Sequence, residues 1–307
     1  MQTVAAPEGR TSNFRRSASR IVALREAASF WPVQAALIVA LLVPAVATVG
    51  QLDESGFLSR DSAVRLLYWP GSEWSWSVTM PAWLSVGAMI VSYVAGIVWL
   101  GRRRTLGPAV LAGVAIVTIA VAAGSAVNAL TGWRELQTAR TMVFAGRVDR
   151  VIFALWHNPA WEEVTARGLP LLALLWCNTR FPAARRWAQW TYLLLPSLLF
   201  AIYHLPGHGP SRLVDTFLIG VGFAWLALRF SFFAPLVVHY VVDAMMVISL
   251  GTMKNAPKGE VPWLIAHSGA LNTTWSLALL AVIAALLIGI VRTSRRSRVP
   301  RPSHAQS

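Results

Sequence analysis

Apolar positions form long, nearly uninterrupted runs along most of the chain, rather than the alternating pattern of strands or the one-sided pattern of soluble helices. A run of about 18 apolar residues with few charges is long enough to cross a bilayer as an α-helix. The pattern therefore predicts an all-α fold, a polytopic membrane helical bundle. About eight transmembrane helices are predicted, at residues 32–50, 82–100, 108–130, 160–177, 189–204, 213–229, 233–250 and 273–291.

Two segments between these runs have a mixed pattern. Residues 134–156 carry arginines between apolar positions, which predicts an interfacial amphipathic helix rather than a ninth span. Residues 51–80 begin polar and then become rich in tryptophan, a residue that favours the membrane–water boundary. We expect that loop to lie against the lipid headgroups.

The composition supports a membrane protein and changes how its charge is interpreted. Apolar residues make up 56% of the 307 residues and charged residues 13%, against about 25% charged in soluble domains. The net charge of +14 comes from Lys and Arg placed beside the predicted spans, as the positive-inside rule produces. This distribution predicts the lipid bilayer, and not nucleic acid, as the partner of the basic residues.

The same rule predicts the orientation. Lys and Arg are more numerous in the segments that lie inside if the N-terminus is cytoplasmic, and an even number of spans then places both termini in the cytoplasm. Arginine greatly outnumbers lysine, which is typical of a GC-rich bacterial genome and hence of a multi-pass protein in the plasma membrane.

The chain divides into four predicted regions. They are a disordered basic cytoplasmic tail (1–28), N-terminal transmembrane helices (29–131), a motif-bearing core (132–252), and a last transmembrane helix with a basic tail (253–307). The single cysteine, Cys177, excludes an intramolecular disulfide and any metal motif built from cysteines.

Three polar clusters lie inside the apolar runs. Ionisable groups at bilayer depth are costly, and by default they mark a functional site. Carboxylates and histidines are also the groups that hydrolytic enzymes use as acids and bases. In chain order the clusters are Glu162 and Glu163 with Arg167, then Phe200 with His204, then His239 with Asp243.

The spacing within the first cluster gives the two glutamates different roles. Glu163 and Arg167 are four residues apart and can form an ion pair on one helix face. Glu162 points about 100° away from that face and remains the freer carboxylate, suited to act as a general base. The alternative is that both glutamates only cap a helix N-terminus, where negative charge is favourable.

The histidines leave similar alternatives open. His204 is followed by Leu-Pro-Gly, which predicts the end of its helix and allows an ordinary interfacial histidine. His239 and Asp243 share a helix face and could form a hydrogen bond that serves packing alone. Taken together, two histidines with one or two carboxylates could provide ligands for Zn²⁺, namely Glu162, His204 and His239. Without a metal, Glu162 and His204 could activate water.

The sequences EEVTAR at Glu162, FAIYH at Phe200 and HYVVD at His239 resemble the three motifs of the CPBP family. This family comprises the type II CAAX prenyl endopeptidases and the bacteriocin-processing (Abi) intramembrane proteases. The resemblance implies an intramembrane endopeptidase that acts on membrane peptide or protein substrates. It implies that Glu162 and His204 activate water, with or without a metal. His239 and Asp243 would stabilise the oxyanion or complete the metal shell.

One position departs from the prenyl-protease pattern, which typically has Asn where this chain has Asp243. An ionised Asp cannot donate a hydrogen bond to an oxyanion. The difference favours a ligand or His-orienting role for Asp243, and it favours the Abi-like branch over a prenylated substrate.

Two other functions remain open from the sequence. A non-catalytic relative could act as a membrane immunity or scaffold protein. A transporter could use the buried charges as an ion relay, although inverted-repeat transporters show internal symmetry and the first half contains no second copy of these motifs.

Overall fold

The structure is a computed structural model and describes residues 26–68, 75–134, 148–250 and 262–296. This part of the chain contains nine α-helices and one β-hairpin. The helices are α1 (Trp31–Glu54), α2 (Ala82–Arg102), α3 (Leu106–Thr131), α4 (Val148–Glu163), α5 (Leu169–Arg180), α6 (Arg185–His208), α7 (Leu213–Arg229), α8 (Phe233–Leu250) and α9 (Pro262–Arg296). The strands are β1 (Asp61–Tyr68) and β2 (Ser75–Pro81).

The predicted all-α membrane bundle is confirmed. In the described part of the chain, five helices are long and apolar enough to cross a membrane: α1, α2, α3, α9, and α7 with the turn before it. Helix α8 (Phe233–Leu250) begins with the apolar stretch Phe233–Asp243. Two of the helices that carry the polar motifs, α4 and α6, are outside this set of five.

Helix α8 lies at the centre of the bundle. It contacts α1, α2, α3, α4, α7 and α9, while α1 packs along α9 and α7 packs between α3 and α6. Its fully buried Tyr240 packs its ring against Tyr93 of α2 and Trp156 of α4, each with centroids 5.1 Å away. The helix that bears His239 and Asp243 is therefore held on several sides by other helices.

Two glycines allow this close packing around α8. A Cβ atom at Gly96 of α2 would lie 2.8 Å from the Val237 side chain, and one at Gly113 of α3 would lie 2.5 Å from Val238. Small residues in membrane helices allow the backbone of one helix to contact the side chains of its neighbour in this way. The two valines directly precede His239, so these contacts fix the position of the site on α8.

The segment predicted as a loop, residues 51–80, contains regular structure. Helix α1 continues to Glu54, and β1 then pairs with β2 in antiparallel register, with Val64 opposite Val78. Each strand places β-branched or aromatic residues among its positions, which local hydropathy averages do not resolve. The predicted contact of Trp69 and Trp74 with headgroups lies outside the described residues.

The predicted boundary between the interfacial helix (134–156) and the fourth span (160–177) is wrong. Helix α4 runs from Val148 through Pro159 to Glu163, so the end of the predicted interfacial helix and the start of the predicted fourth span are one helix. Residues 135–147 of that interfacial segment lie outside the described residues.

The ends of the chain also differ from the predicted boundaries. Residues 1–25 and 297–307 of the predicted tails are outside the described residues. Ala27 and Ala28, assigned to the first tail, are buried, and Ala27 packs against Gly289 of α9. Helix α9 begins at Pro262, 11 residues before the predicted span at 273.

Candidate active site

The two motif glutamates are the last residues of α4, and a single π-helical turn, Val164–Gly168, follows them before α5 begins. They do not lie in the first turn of a helix, so the N-terminal capping alternative is contradicted. A π turn adds one residue to a helical turn and is frequent at functional sites. Here it contains Arg167 and joins the two helices without a break.

Glu163 is the hub of a buried polar network. Its Oε1 atom accepts from Arg167 Nη1 at 3.1 Å and lies 2.8 Å from Nδ1 of His239. Glu163 and Arg167 are 0% and 1% exposed, so each charge depends on the other for compensation. Because Nδ1–H of His239 donates to this carboxylate, the imidazole orientation is fixed from α4.

Aromatic rings complete the surroundings of Arg167. Its guanidinium carbon lies 4.2 Å from the ring centroid of Phe200 and 5.6 Å from that of Phe223. Phe223 also places its ring centroid 5.6 Å from that of His239. The rings supply cation–π attraction and exclude lipid from the ion pair. Phe200, the first residue of the second motif, thus supports the first motif.

Two further carboxylates flank the other nitrogen of the same imidazole. Nε2 of His239 lies 3.6 Å from Oε2 of Glu162 and 3.9 Å from Oδ1 of Asp243. Both distances exceed a direct hydrogen bond. Glu163 therefore holds the ring through a direct hydrogen bond, and the orienting role of Asp243 stays a prediction.

His204 lies on α6 beside this network. Its Nδ1 is 2.8 Å from the carbonyl oxygen of Phe200, so Nδ1–H donates within the helix and Nε2 carries the lone pair. The helix does not end at His204 as predicted, because it continues to His208 and stops before Gly209, whose φ is +71°. His208 is the last residue of α6.

The structure thus brings four of the five predicted catalytic residues into one cluster. Glu162, Glu163, His239 and Asp243 are linked by the distances above. Among the described contacts, His204 has no hydrogen bond or ion pair with these four, and its ring neighbours are Phe200 at 4.6 Å, Tyr203 at 5.4 Å and His208 at 5.9 Å.

A groove lies between α5 and α6 and reaches the cluster. This partly open cavity has a volume of about 700 Å³ and is lined mainly by apolar side chains. Glu162, Phe200 and Tyr203 line one end, and Phe181 and Trp187 line the other. Glu162 therefore borders both the imidazole of His239 and an apolar space, which suits a group that must meet an apolar substrate.

Residues 133–245 match the family model described as Type II CAAX prenyl endopeptidase Rce1-like. This region belongs to the CPBP family. The match contains all three motif clusters and covers rather more than a third of the chain. No curated protein and no solved structure matches the chain. Together with the five apolar helices, this match supports an integral membrane protein related to the CAAX proteases.

The described residues of this CPBP region do not hold three zinc ligands close together. Zinc needs three protein donors within about 2.0–2.3 Å of one ion. Among the described residues, no group of three His, Cys, Asp or Glu side chains is placed to hold a metal. His239 already engages Glu163 through Nδ1, and the hydrogen bond of His204 in the described part of the chain goes to the Phe200 carbonyl rather than to Glu162. Zinc binding by Glu162, His204 and His239 stays a prediction.

One residue of the CPBP region was missed by sequence reasoning. Tyr192 of α6 is 3% exposed and lines the same groove as Glu162. Its hydroxyl has no hydrogen-bond partner among the described residues. A tyrosine within an apolar run is typical of a membrane boundary, so the sequence contained no signal for this position.

Proposed function

We propose that this chain is an intramembrane endopeptidase that hydrolyses peptide bonds of membrane-associated peptide or protein substrates through water activated by Glu162. The supporting observation is the position of Glu162. It flanks His239 at 3.6 Å and lines the apolar groove, whereas Glu163 is fully buried in its pairs with Arg167 and His239.

In the proposed reaction, Glu162 takes a proton from water as the water oxygen attacks the scissile carbonyl carbon. The C–N bond of the tetrahedral intermediate then breaks, and Glu162 returns the proton to the leaving amine. Positioned proton transfer of this kind contributes about 10²–10⁴-fold to the rate.

The other residues hold and complement this step. Arg167 and Glu163 fix the ring of His239, whose Nε2, when protonated, can donate to the developing oxyanion. Asp243, 3.9 Å from Nε2, favours that protonated form. We assign His204 to orient the attacking water through its lone-pair Nε2 atom.

The groove bears on the class of substrate. Its mostly apolar lining favours a substrate whose segment next to the scissile bond is also apolar and enters from the lipid side. The matched family is described as a CAAX prenyl endopeptidase. For this chain, with Asp243 in place of Asn, we propose the broader class of membrane-associated peptides and proteins, with prenylated peptides as one arm of the test.

Glu162→Gln removes the base while keeping the shape of the side chain. Purified wild type, Glu162→Gln and His239→Ala are incubated with a membrane-peptide library that includes prenylated members, and products are identified by mass spectrometry. We expect cleavage by wild type and a loss of about 10²–10⁴-fold in Glu162→Gln. Glu54→Gln, an exposed carboxylate at the end of α1, is the matched control and retains activity.

Equal inertness of wild type and both site variants, on a library cut by a related active protease, would overturn the endopeptidase proposal in favour of the immunity or scaffold function. A chelator in the same assay tests the metal. Loss of cleavage that added Zn²⁺ restores supports the zinc prediction. Cleavage unchanged by the chelator retains the peptidase and contradicts zinc.

A further inference from the structure

The turn between α5 and α6 concentrates positive charge. Arg180, Arg185 and Arg186 are all exposed there, and the sequence contains no Asp or Glu between Leu169 and Asp215. None of the ion pairs among the described residues involves these three arginines. The arginine turn, residues 180–187, therefore presents three exposed guanidinium groups that form no ion pair within the described part of the chain.

Exposed aromatic side chains surround the same turn. Trp176, Phe181, Trp187 and Trp190 have exposed fractions of 62%, 52%, 76% and 50%. Tryptophan and arginine together are typical of the level of the lipid headgroups. The aromatic rings place the arginine turn at one membrane surface.

The groove beside Glu162 opens into this turn. Phe181, Ala184 and Trp187 line its far end, and Leu195 and Leu199 continue the apolar wall toward Phe200. A ligand that suits both features has an anionic head and an aliphatic tail. Arginine binds phosphate through paired hydrogen bonds, and the groove accepts hydrocarbon.

The geometry points to a binding site for one anionic phospholipid, with its phosphate at Arg180, Arg185 and Arg186 and an acyl chain in the groove between α5 and α6. Arginines that only set the orientation of the helices would show no preference among headgroups. The continuity of charge and groove instead favours selective retention of an anionic lipid.

The groove is long enough to separate a bound lipid at the arginine turn from the proposed reaction at Glu162. Helix α6 rises about 24 Å from Trp187 to Tyr203, at 1.5 Å per residue. The hydrocarbon of one leaflet is about 15 Å deep. An acyl chain anchored at the arginine turn would end before Glu162, so lipid and substrate can occupy the groove together. The inference therefore does not depend on the proposed peptidase activity.

Cys177 provides a reporter for this site. It is the only cysteine of the chain, is partly buried, and lines the groove. The rate at which N-ethylmaleimide alkylates Cys177 is measured in nanodiscs of phosphatidylcholine alone and with increasing phosphatidylglycerol. We expect phosphatidylglycerol to slow alkylation about fivefold or more, since each arginine near an anionic surface is worth about that factor in binding.

The variant Arg180→Gln/Arg185→Gln/Arg186→Gln is expected to lose this protection. Arg102→Gln/Arg103→Gln, at exposed arginines where α2 ends, is the matched control and keeps it. Equal protection by phosphatidylcholine, or protection that persists in the triple variant, would overturn the site. Protection that persists in the triple variant would also attribute the slower alkylation of Cys177 to the lower pH at an anionic surface.

Native mass spectrometry gives an independent readout if the triple variant folds poorly. Ala188→Trp fills the groove without altering an arginine, since Ala188 lines the cavity. Wild type is expected to retain one phosphatidylglycerol per chain, and Ala188→Trp to retain none. Equal retention by the two proteins contradicts binding in the groove, whatever the outcome of the peptidase assay.

Discussion

Arg167 illustrates how a single buried charge is stabilised in this protein. It is 1% exposed, pairs with Glu163 at 3.1 Å, and stacks on Phe200 at 4.2 Å. Removing one partner of a buried ion pair typically costs about 3–5 kcal/mol, because the remaining charge has lost its compensation. The same change at an exposed pair costs about 0–1 kcal/mol.

We therefore expect Arg167→Met to lower the free energy of unfolding by about 3 kcal/mol, measured by denaturant titration in detergent. Arg212→Met is the comparison variant, because Arg212 pairs with Asp215 at 2.9 Å but is 39% exposed, and the buried Asp215 keeps a hydrogen bond from the backbone N–H of Thr216. Its expected loss is clearly smaller than that of Arg167→Met. Equal losses in the two variants would show that burial does not determine the stability of the Arg167 pair.

Glu163 is a positioning residue, and its substitution should separate catalysis from substrate binding. Glu163→Gln keeps an oxygen that can accept from Nδ1 of His239 but removes the charge opposite Arg167. We expect kcat to fall about 10–100-fold with KM nearly unchanged, as for other groups that orient a functional histidine. A variant that raises KM alone would place Glu163 in substrate binding instead.

At the scale of the helices, close packing around α8 determines where His239 lies. Gly113 of α3 has Val238 against it, and a methyl group at this position would overlap the valine side chain at 2.5 Å. Gly87 of α2 has nothing within 4 Å of the same added atom. The two glycines thus form a matched pair, one in a helix contact and one in open space.

Gly113→Ala is expected to destabilise the protein by about 1–3 kcal/mol through overpacking, and to reduce any peptidase activity by displacing α8. Gly87→Ala is expected to be neutral or stabilising by up to about 1 kcal/mol, since alanine favours a helix. Thermal unfolding in detergent compares them. If Gly113→Ala is as stable as Gly87→Ala, α3 does not restrain α8.

The helices also show what the sequence could and could not reveal. The spans corresponding to α1, α2, α3 and α7 were predicted to within a few residues, because uninterrupted apolar runs report burial in lipid or protein directly. The motif residues that meet in the site were likewise visible as costly polar groups in apolar segments.

The π turn and the continuation of α6 past His204 were not visible. The local sequence of Val164–Gly168 predicts an ordinary α-helix, and Leu205-Pro206-Gly207 predicts a helix stop, whereas the structure has a π turn and a continuing helix. Their observed geometry depends on tertiary partners, such as the burial of Arg167 between Glu163 and Phe200. Local propensity cannot report such partners. For the same reason, the sequence did not predict that Tyr192 lines the groove.

At the scale of the whole molecule, the first and last described helices form one side of the bundle. Helix α1 packs along α9, and Ala27, just before α1, packs against Gly289 of α9. The positive-inside rule predicts that both ends of the chain face the cytoplasm.

A C-terminal green fluorescent protein fusion is therefore expected to fluoresce, while a C-terminal alkaline phosphatase fusion is expected to be inactive. The reciprocal result is expected when each reporter is fused after Arg60, an exposed residue between α1 and β1. An active phosphatase at the C-terminus would contradict the predicted orientation.

Two of the helices that carry the motifs, α4 and α6, are less able than the apolar spans to enter a membrane alone. Helix α4 has 16 residues and is too short to count as a span, and α6 is not among the helices that are apolar enough to cross a membrane. Segments of this kind leave the translocon stably when earlier helices already offer them polar partners. The order of biogenesis follows from this difference. The apolar helices α1, α2 and α3 emerge first and form a scaffold, and the polar helices are retained beside it during synthesis rather than released singly into lipid.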